Sequence, residues 1–156
     1  MSAILVVLLC MGIGALLGVQ PVINARLAET IGSPVSATFV SLAVSIVCVV
    51  PVAAVAGVSF RTDAIGEAPW WIWIGGVSGA AFVAAGMLLA PRIGVTLLFA
   101  SVIAGQLVAA ALVDHNGWFD VPVRPVDPLR ILGIALVFAG VIVFRLASAA
   151  KATPGG

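Results

Sequence analysis

Residues 93–113 read IGVTLLFASVIAGQLVAAALV and contain no charged side chain. A helix that crosses a bilayer needs roughly 20 predominantly apolar residues, so this stretch is long enough. Its single amide is Gln106, and the chain turns polar directly after it, at Asp114 and His115. The abrupt change from apolar to polar residues predicts a transmembrane helix that ends near residue 113.

The same pattern occurs four more times along the chain. We predict further spans at about residues 3–23, 34–58, 70–90 and 129–148. Ser33 is a suitable N-cap for the second span, and Pro34 after it suits the first helical turn. Pro69 similarly precedes the third span. We therefore expect an all-α integral membrane protein, with one five-helix domain over residues 1–150 and a disordered tail at 151–156.

Composition supports a membrane protein and excludes several other classes. Hydrophobic residues make up 63% of the chain and charged residues 8%, against about 25% charged in soluble domains. The net charge of +1 gives no basic surface for nucleic acid. Cys10 and Cys48 lie inside apolar runs and are expected to be small packing residues. We expect no metal, no cofactor and no enzymatic activity, because the sequence offers no metal-ligand spacing and no nucleophile–base pair.

An odd number of spans puts the two ends of the chain on opposite sides of the bilayer. Two such units can pair as inverted repeats, the arrangement of many transporters. Basic residues are divided nearly evenly between the two sides, so the positive-inside rule leaves the orientation open. With the N-terminus outside, the inner side holds Arg26, Arg92, Arg145 and Lys151, and the outer side holds Arg61, Arg124 and Arg130.

Polar side chains inside the spans are few, and they are the candidate binding residues. Gln20 and Asn24 are four residues apart, on one helical face, and Pro21 between them removes a backbone hydrogen bond. This pair can bind a polar or cationic solute, or it can join helices through amide hydrogen bonds. Gln106 is the deepest strongly polar side chain, and with Ser101 on nearly the same face it favours a cavity lining over a helix contact.

Two other clusters have a functional and a structural interpretation. Asp114 with His115 is the best candidate for coupling to protons, although a solvated helix end explains both residues more simply. Trp73 belongs to the tryptophan cluster of residues 70–73, which is typical of an interfacial anchor. A cation–π box for a substrate is the alternative function of that cluster.

Several short patterns follow one another along the chain. They are Gln20-Pro-Val-Ile-Asn24-Ala-Arg-Leu, Pro69-Trp-Trp-Ile-Trp-Ile-Gly-Gly76, Pro91-Arg-Ile-Gly94, Ala104-Gly-Gln-Leu107, Asp114-His-Asn-Gly117, and Arg130-Ile-Leu-Gly133-Ile-Ala-Leu with Ala139-Gly-Val141. In this order and spacing they resemble the YdcZ-like family of the drug/metabolite transporter superfamily.

The resemblance implies a five-span inner-membrane exporter related to one half of a ten-span transporter. The matching positions are Gln20, Asn24, Gly105, Gln106 and Asp114. The small multidrug-resistance branch of the superfamily uses a glutamate in its first span, and this chain has none there.

Together these observations predict a small-molecule exporter of the bacterial inner membrane. We expect a homodimer of ten helices, antiparallel if the chain inserts in both orientations, that works by alternating access. A small polar or amphipathic solute would bind among amides and small residues. The alternatives are a non-transporting accessory subunit, one half of a heteromeric transporter, and a flippase for lipid-linked substrates.

Overall fold

The computed structural model describes residues 3–58 and 65–152. Within them, five helices are long and apolar enough to cross a membrane, which confirms the all-α fold and the five spans. The helices are α1 (Ala3–Ile31), α2 (Pro34–Val55), α3 (Ile74–Ile93), α4 (Val95–Asn116) and α5 (Pro128–Ala152). Two short 3₁₀ turns, Trp70–Trp73 and Trp118–Asp120, precede α3 and follow α4.

The helices differ from the predicted spans mainly at their ends. α1 continues through Pro21 to Ile31, and α3 continues through Pro91 to Ile93. Hydropathy locates only the part of a helix that fits the hydrocarbon layer, whereas helical hydrogen bonding continues into the polar interface. Three of the helices end where a glycine takes a positive φ, at Gly32, Gly94 and Gly117.

The second predicted span is longer than the helix found there, since α2 ends at Val55. The loop that carries Arg61 lies outside the described residues, as do residues 153–156 of the predicted tail. The single domain over residues 1–150 stays a prediction. The chain divides into two compact units, residues 1–92 and residues 93–156.

In the first unit, α1 and α2 pack as a hairpin joined by Gly32 and Ser33. The Ser33 hydroxyl caps α2 by accepting a hydrogen bond from the Ser36 N–H at 3.2 Å, as the sequence predicted. α3 contacts α1 where Gly86 meets Pro21: a Cβ at Gly86 would lie 3.4 Å from the proline ring. The absence of a side chain at Gly86 thus lets the backbone of α3 approach the Pro21 ring closely.

In the second unit, α4 and α5 pack as another hairpin. Their connection, residues 117–127, is long and polar, and it begins at Gly117 with φ +65°. Large apolar side chains are exposed along the helices of both units, for example Ile4, Val55 and Leu129. Lipid tails are as apolar as these side chains, so such a surface is stable in a bilayer.

Candidate functional site

The predicted site residues divide between the two units. Gln20, Asn24 and Trp73 belong to the first unit, whereas Ser101, Gln106, Asp114 and His115 belong to the second.

Asn24 is the most buried polar side chain among the described residues, at 6% exposure. The Asn24 side chain forms no hydrogen bond with another described residue. Every described side-chain nitrogen or oxygen that is fully buried does have a hydrogen-bond partner. The small exposure that remains must therefore include the amide. A buried amide that can still be reached retains its capacity to bind a polar group.

Gln20 lies one turn before Asn24 and is half-buried. Between the two, Pro21 has no N–H, so the Leu17 carbonyl lacks its usual donor one turn later. Two amides, which both donate and accept hydrogen bonds, and the Leu17 carbonyl thus share this part of α1. The arrangement carries no formal charge, which suits a neutral or singly cationic polar group.

Among the open grooves of the first unit, two are lined by residues of more than one helix. One, of about 330 Å³, includes Glu29, whose carboxylate forms an exposed ion pair with Arg26 at 2.7 Å. Its other lining residues are Ala25, Ala28, Gly32, Pro34, Met87 and Pro91. The second, of about 590 Å³, is almost wholly apolar and lies between α2 and α3. Thr38 on its wall donates its hydroxyl to the Pro34 carbonyl, so that side chain is satisfied within its own helix.

Gln106 lies near the midpoint of α4 and is exposed. Its amide forms no hydrogen bond with any described residue. Ser101, one turn earlier, donates its hydroxyl to the Leu97 carbonyl at 2.8 Å and is thereby satisfied within α4. The two residues thus differ: Ser101 has a partner in its own helix, and the Gln106 amide needs one from elsewhere.

Asp114 lines a groove of about 390 Å³ between α4 and α5. Arg130, near the start of α5, lines the same groove, and its Nη1 lies 3.7 Å from Asp114 Oδ2. The other walls are apolar: Leu107, Ala110, Ala111, Gly133 and Ile134. The groove therefore has one acidic and one basic group at the connected end of the hairpin and hydrocarbon along the rest.

The connection between α4 and α5 is held by hydrogen bonds from both helices. The Asp114 carbonyl accepts a hydrogen bond from the Arg124 N–H at 2.7 Å, and the Arg124 carbonyl accepts one from Arg130 Nη1 at 3.2 Å. His115 Nδ1 accepts a hydrogen bond from the Val126 N–H at 3.2 Å. The structure thus gives His115 a role in positioning the loop, which favours the structural interpretation of this residue.

Trp73 is 54% exposed and lies at the end of the 3₁₀ turn that leads into α3. Its neighbour Trp70 is exposed as well. Exposed indole rings at the end of a membrane-crossing helix suit an interfacial anchor.

Sequence reasoning did not single out Arg130 or Asp127 as site residues. Asp127 caps α5, since its Oδ1 accepts a hydrogen bond from the Arg130 N–H at 2.9 Å. Its Oδ2 also lies 3.7 Å from Arg130 Nε, which orients that side chain beside the groove. The sequence does contain a signal for this helix cap, because Asp127-Pro128 repeats the cap-then-proline pattern of Ser33-Pro34. Among the described residues, no three histidine, cysteine or acidic side chains group to hold a metal ion.

Comparison with known proteins gives one match. Residues 5–143 match a family model that is described as "Putative inner membrane exporter, YdcZ". The match includes at least part of every one of the five helices. No curated protein and no solved structure matches the chain.

Proposed function

Because this chain belongs to the YdcZ family and is a multi-pass protein of the inner membrane, we propose that it exports a small molecule as a dimer. The family description is that of a transporter and not of an enzyme. In the proposed dimer, two five-helix chains supply the ten helices of an inverted-repeat transporter, which works by alternating access.

The observation that carries this proposal is the exposed amide of Gln106. No described residue pairs with it, although it lies at the middle of an apolar span. An unpaired polar group in hydrocarbon costs several kcal/mol, so a protein partner or an aqueous cavity must cover it. An amide both donates and accepts, so Gln106 can pair with its own copy across a two-fold axis.

The small residues around Gln106 permit such a contact. Ser101, Gly105 and Ala109 are spaced at four-residue intervals along α4, and all three are exposed. Nothing lies within 4 Å of the position that a Cβ at Gly105 would occupy. Helices associate in lipid by close packing of small residues, so a second copy can approach α4 at this face.

The candidate solute-binding groups of the proposal belong to both units, and each set is proposed within its own unit. Gln20 and Asn24 supply hydrogen-bonding groups in α1, and Gln106 with Ser101 supplies them in α4. Trp73 would contribute an aromatic surface near the membrane interface. Because none of these side chains carries a charge, we expect a small polar or amphipathic solute and not a multivalent ion.

Disulfide crosslinking tests the dimer. In a Cys10→Ala, Cys48→Ala background, Gln106→Cys should give a crosslinked dimer in membranes on mild oxidation. Leu107→Cys is the matched control, because Leu107 is also exposed on α4 but lines the groove toward α5, about 160° around the helix from Gly105. Equal crosslinking at both positions, or none at residue 106, would overturn the proposed interface. Gln106 is near the midpoint of α4, so parallel and antiparallel copies would both crosslink.

Transport is tested with proteoliposomes loaded with a defined mixture of amino acids, nucleosides, sugars and polyamines. The wild-type protein should release a subset of these solutes, measured by mass spectrometry, and Gln106→Ala should reduce that release at least tenfold. Release that appears only after a second polypeptide is co-expressed would instead support an accessory or heteromeric subunit. Scrambling of a fluorescent lipid without solute release would support a flippase.

A further inference from the structure

The groove between α4 and α5 has two charged groups whose hydrogen-bonding capacity is largely unused. We propose that it binds a zwitterionic small molecule with an apolar side chain: the ligand's ammonium group contacts Asp114, and its carboxylate contacts Arg130. This inference names a ligand class and a binding position in the second unit, and as a transport substrate site it rests on the proposed export function.

The Asp114–Arg130 pair is too long to be a saturated ion pair. Its shortest N–O separation is 3.7 Å, whereas charge-assisted hydrogen bonds span about 2.7–2.9 Å. The Asp114 carboxylate accepts no hydrogen bond from any other described residue. The pair is also accessible, since the two side chains are 40% and 39% exposed.

Contacts with the loop hold the Arg130 side chain in place but occupy only part of its hydrogen-bonding capacity. Its Nη1 donates to the Arg124 carbonyl, and its Nε faces Asp127 at 3.7 Å. A guanidinium has five N–H donors, so several remain for a ligand carboxylate. Because the loop orients this side chain before a ligand arrives, binding would cost little side-chain entropy.

A zwitterion suits this site better than a singly charged ligand. A ligand with only a carboxylate would be attracted by Arg130 but repelled by Asp114. A ligand with only an ammonium group would be attracted by Asp114 but repelled by Arg130. A ligand that carries both charges gives each group an opposite charge: its ammonium pairs with Asp114, and its carboxylate pairs with Arg130, whose Nε also faces Asp127. Pairing matters here because a charge desolvated without a partner is costly.

The apolar walls define the rest of the ligand. From Asp114 the groove extends to Leu107, about 10 Å along the helix at 1.5 Å per residue. Its 390 Å³ falls within the usual range of small-ligand pockets, about 300–1,000 Å³. We therefore assign it to a free small molecule with one apolar side chain, and binding of a zwitterionic phospholipid is the outcome that would overturn the assignment.

Equilibrium binding to the purified full-length protein in detergent tests the assignment, with L-leucine as the probe. 3-Methylbutylamine lacks only the carboxylate of leucine, 4-methylpentanoate lacks only the ammonium, and glycine lacks only the side chain. We expect leucine to bind at least tenfold more tightly than each of the three. Equal binding of either singly charged analogue, or no measurable leucine binding, would overturn the proposal.

Variants locate the binding. Asp114→Asn and Arg130→Gln should each weaken leucine binding at least tenfold, and Asp120→Asn, a loop carboxylate outside the groove, should leave it unchanged. Because Arg130→Gln also removes a loop contact, Ala110→Leu provides a second test: it narrows the groove and keeps both charges. Ala135→Leu, at an exposed position of α5 that does not line the groove, is its matched control. Leucine binding that survives both Ala110→Leu and Asp114→Asn would contradict the assignment.

A lipid test separates the two sources of a zwitterion. If phosphatidylethanolamine copurifies with the protein and leucine fails to displace it, the groove is a lipid site and the proposal is wrong. The outcome is independent of the proposed export function, because binding at equilibrium requires no flux. Release of other solutes without leucine binding would overturn this inference alone.

Discussion

The two helix hairpins of this protein share one way of starting the second helix but differ in what connects it to the first. In α1–α2 the connection is Gly32 and Ser33; in α4–α5 it is the polar segment of residues 117–127. Ser33 and Asp127 both cap the following helix through a side-chain oxygen, and a proline follows each cap. The short connection is held locally, whereas the long one depends on contacts from both helices.

This difference indicates that the long connection is more constrained by tertiary contacts than the short one. The short turn needs only one glycine with positive φ and one hydroxyl cap. In the long segment, hydrogen bonds link Asp114 to Arg124 and Arg124 to Arg130, and a separate one links His115 to Val126. These contacts lie beside the proposed zwitterion groove. Substitutions in the long connection should therefore cost more than the equivalent substitutions in the short turn.

The largest effect is expected at Gly117. A Cβ there would lie 2.7 Å from Val123 Cγ2, in a backbone with φ +65°. Gly117→Ala should lower the free energy of unfolding in detergent by about 2–4 kcal/mol, from the left-handed conformation plus overpacking.

Gly32→Ala is the matched control for Gly117→Ala. Gly32 also has positive φ, at +77°, but open space surrounds the Cβ position. Gly32→Ala should lower the free energy of unfolding by only about 1 kcal/mol, because only the backbone conformation is unfavourable. Equal losses in the two variants would mean that packing around the long connection adds no constraint.

The two caps allow a second comparison. Asp127→Ala should destabilise the protein by about 1–2 kcal/mol, and Ser33→Ala by about 1 kcal/mol. The carboxylate should contribute more, because it also interacts with the helix dipole and faces Arg130. Urea unfolding in micelles, followed by circular dichroism, measures both variants. A larger loss for Ser33→Ala would contradict the ranking.

A smaller effect is expected at His115. His115→Ala removes the acceptor of the Val126 N–H and should cost about 1 kcal/mol or less, because the site is exposed. Hydrogen exchange at the Val126 amide should accelerate by roughly tenfold, while the amide of Ser36 in the short turn serves as the internal reference. Unchanged exchange at Val126 would show that the histidine does not hold the loop.

The smallest effect is expected for the ion pair of the first hairpin. Arg26 and Glu29 approach to 2.7 Å, but both side chains are mostly exposed. Glu29→Gln should change the free energy of unfolding by less than about 0.5 kcal/mol, as is usual for surface pairs. A loss comparable with that of Asp127→Ala would show that charge pairing matters equally in both hairpins.

Local patterns in the sequence predicted some parts of the site and missed others. The Ser33 cap was predicted because serine, proline and an apolar run stand next to each other in the chain. Asp127 with Pro128 has the same local pattern, and no cap was predicted there. The approach of Arg130 to Asp114 joins residues of two different helices, so no local pattern could reveal it.

The sequence by itself determined the family, the five spans and their approximate limits. Hydrophobic length is a local property, and a bilayer of fixed thickness converts it directly into helices. Only the tertiary structure decided that Asn24 is buried, that the Gln106 amide is exposed, and that Arg130 lies beside Asp114. Helices that are apolar on all sides carry no stripe to mark an inner face, so side-chain orientation depends on packing.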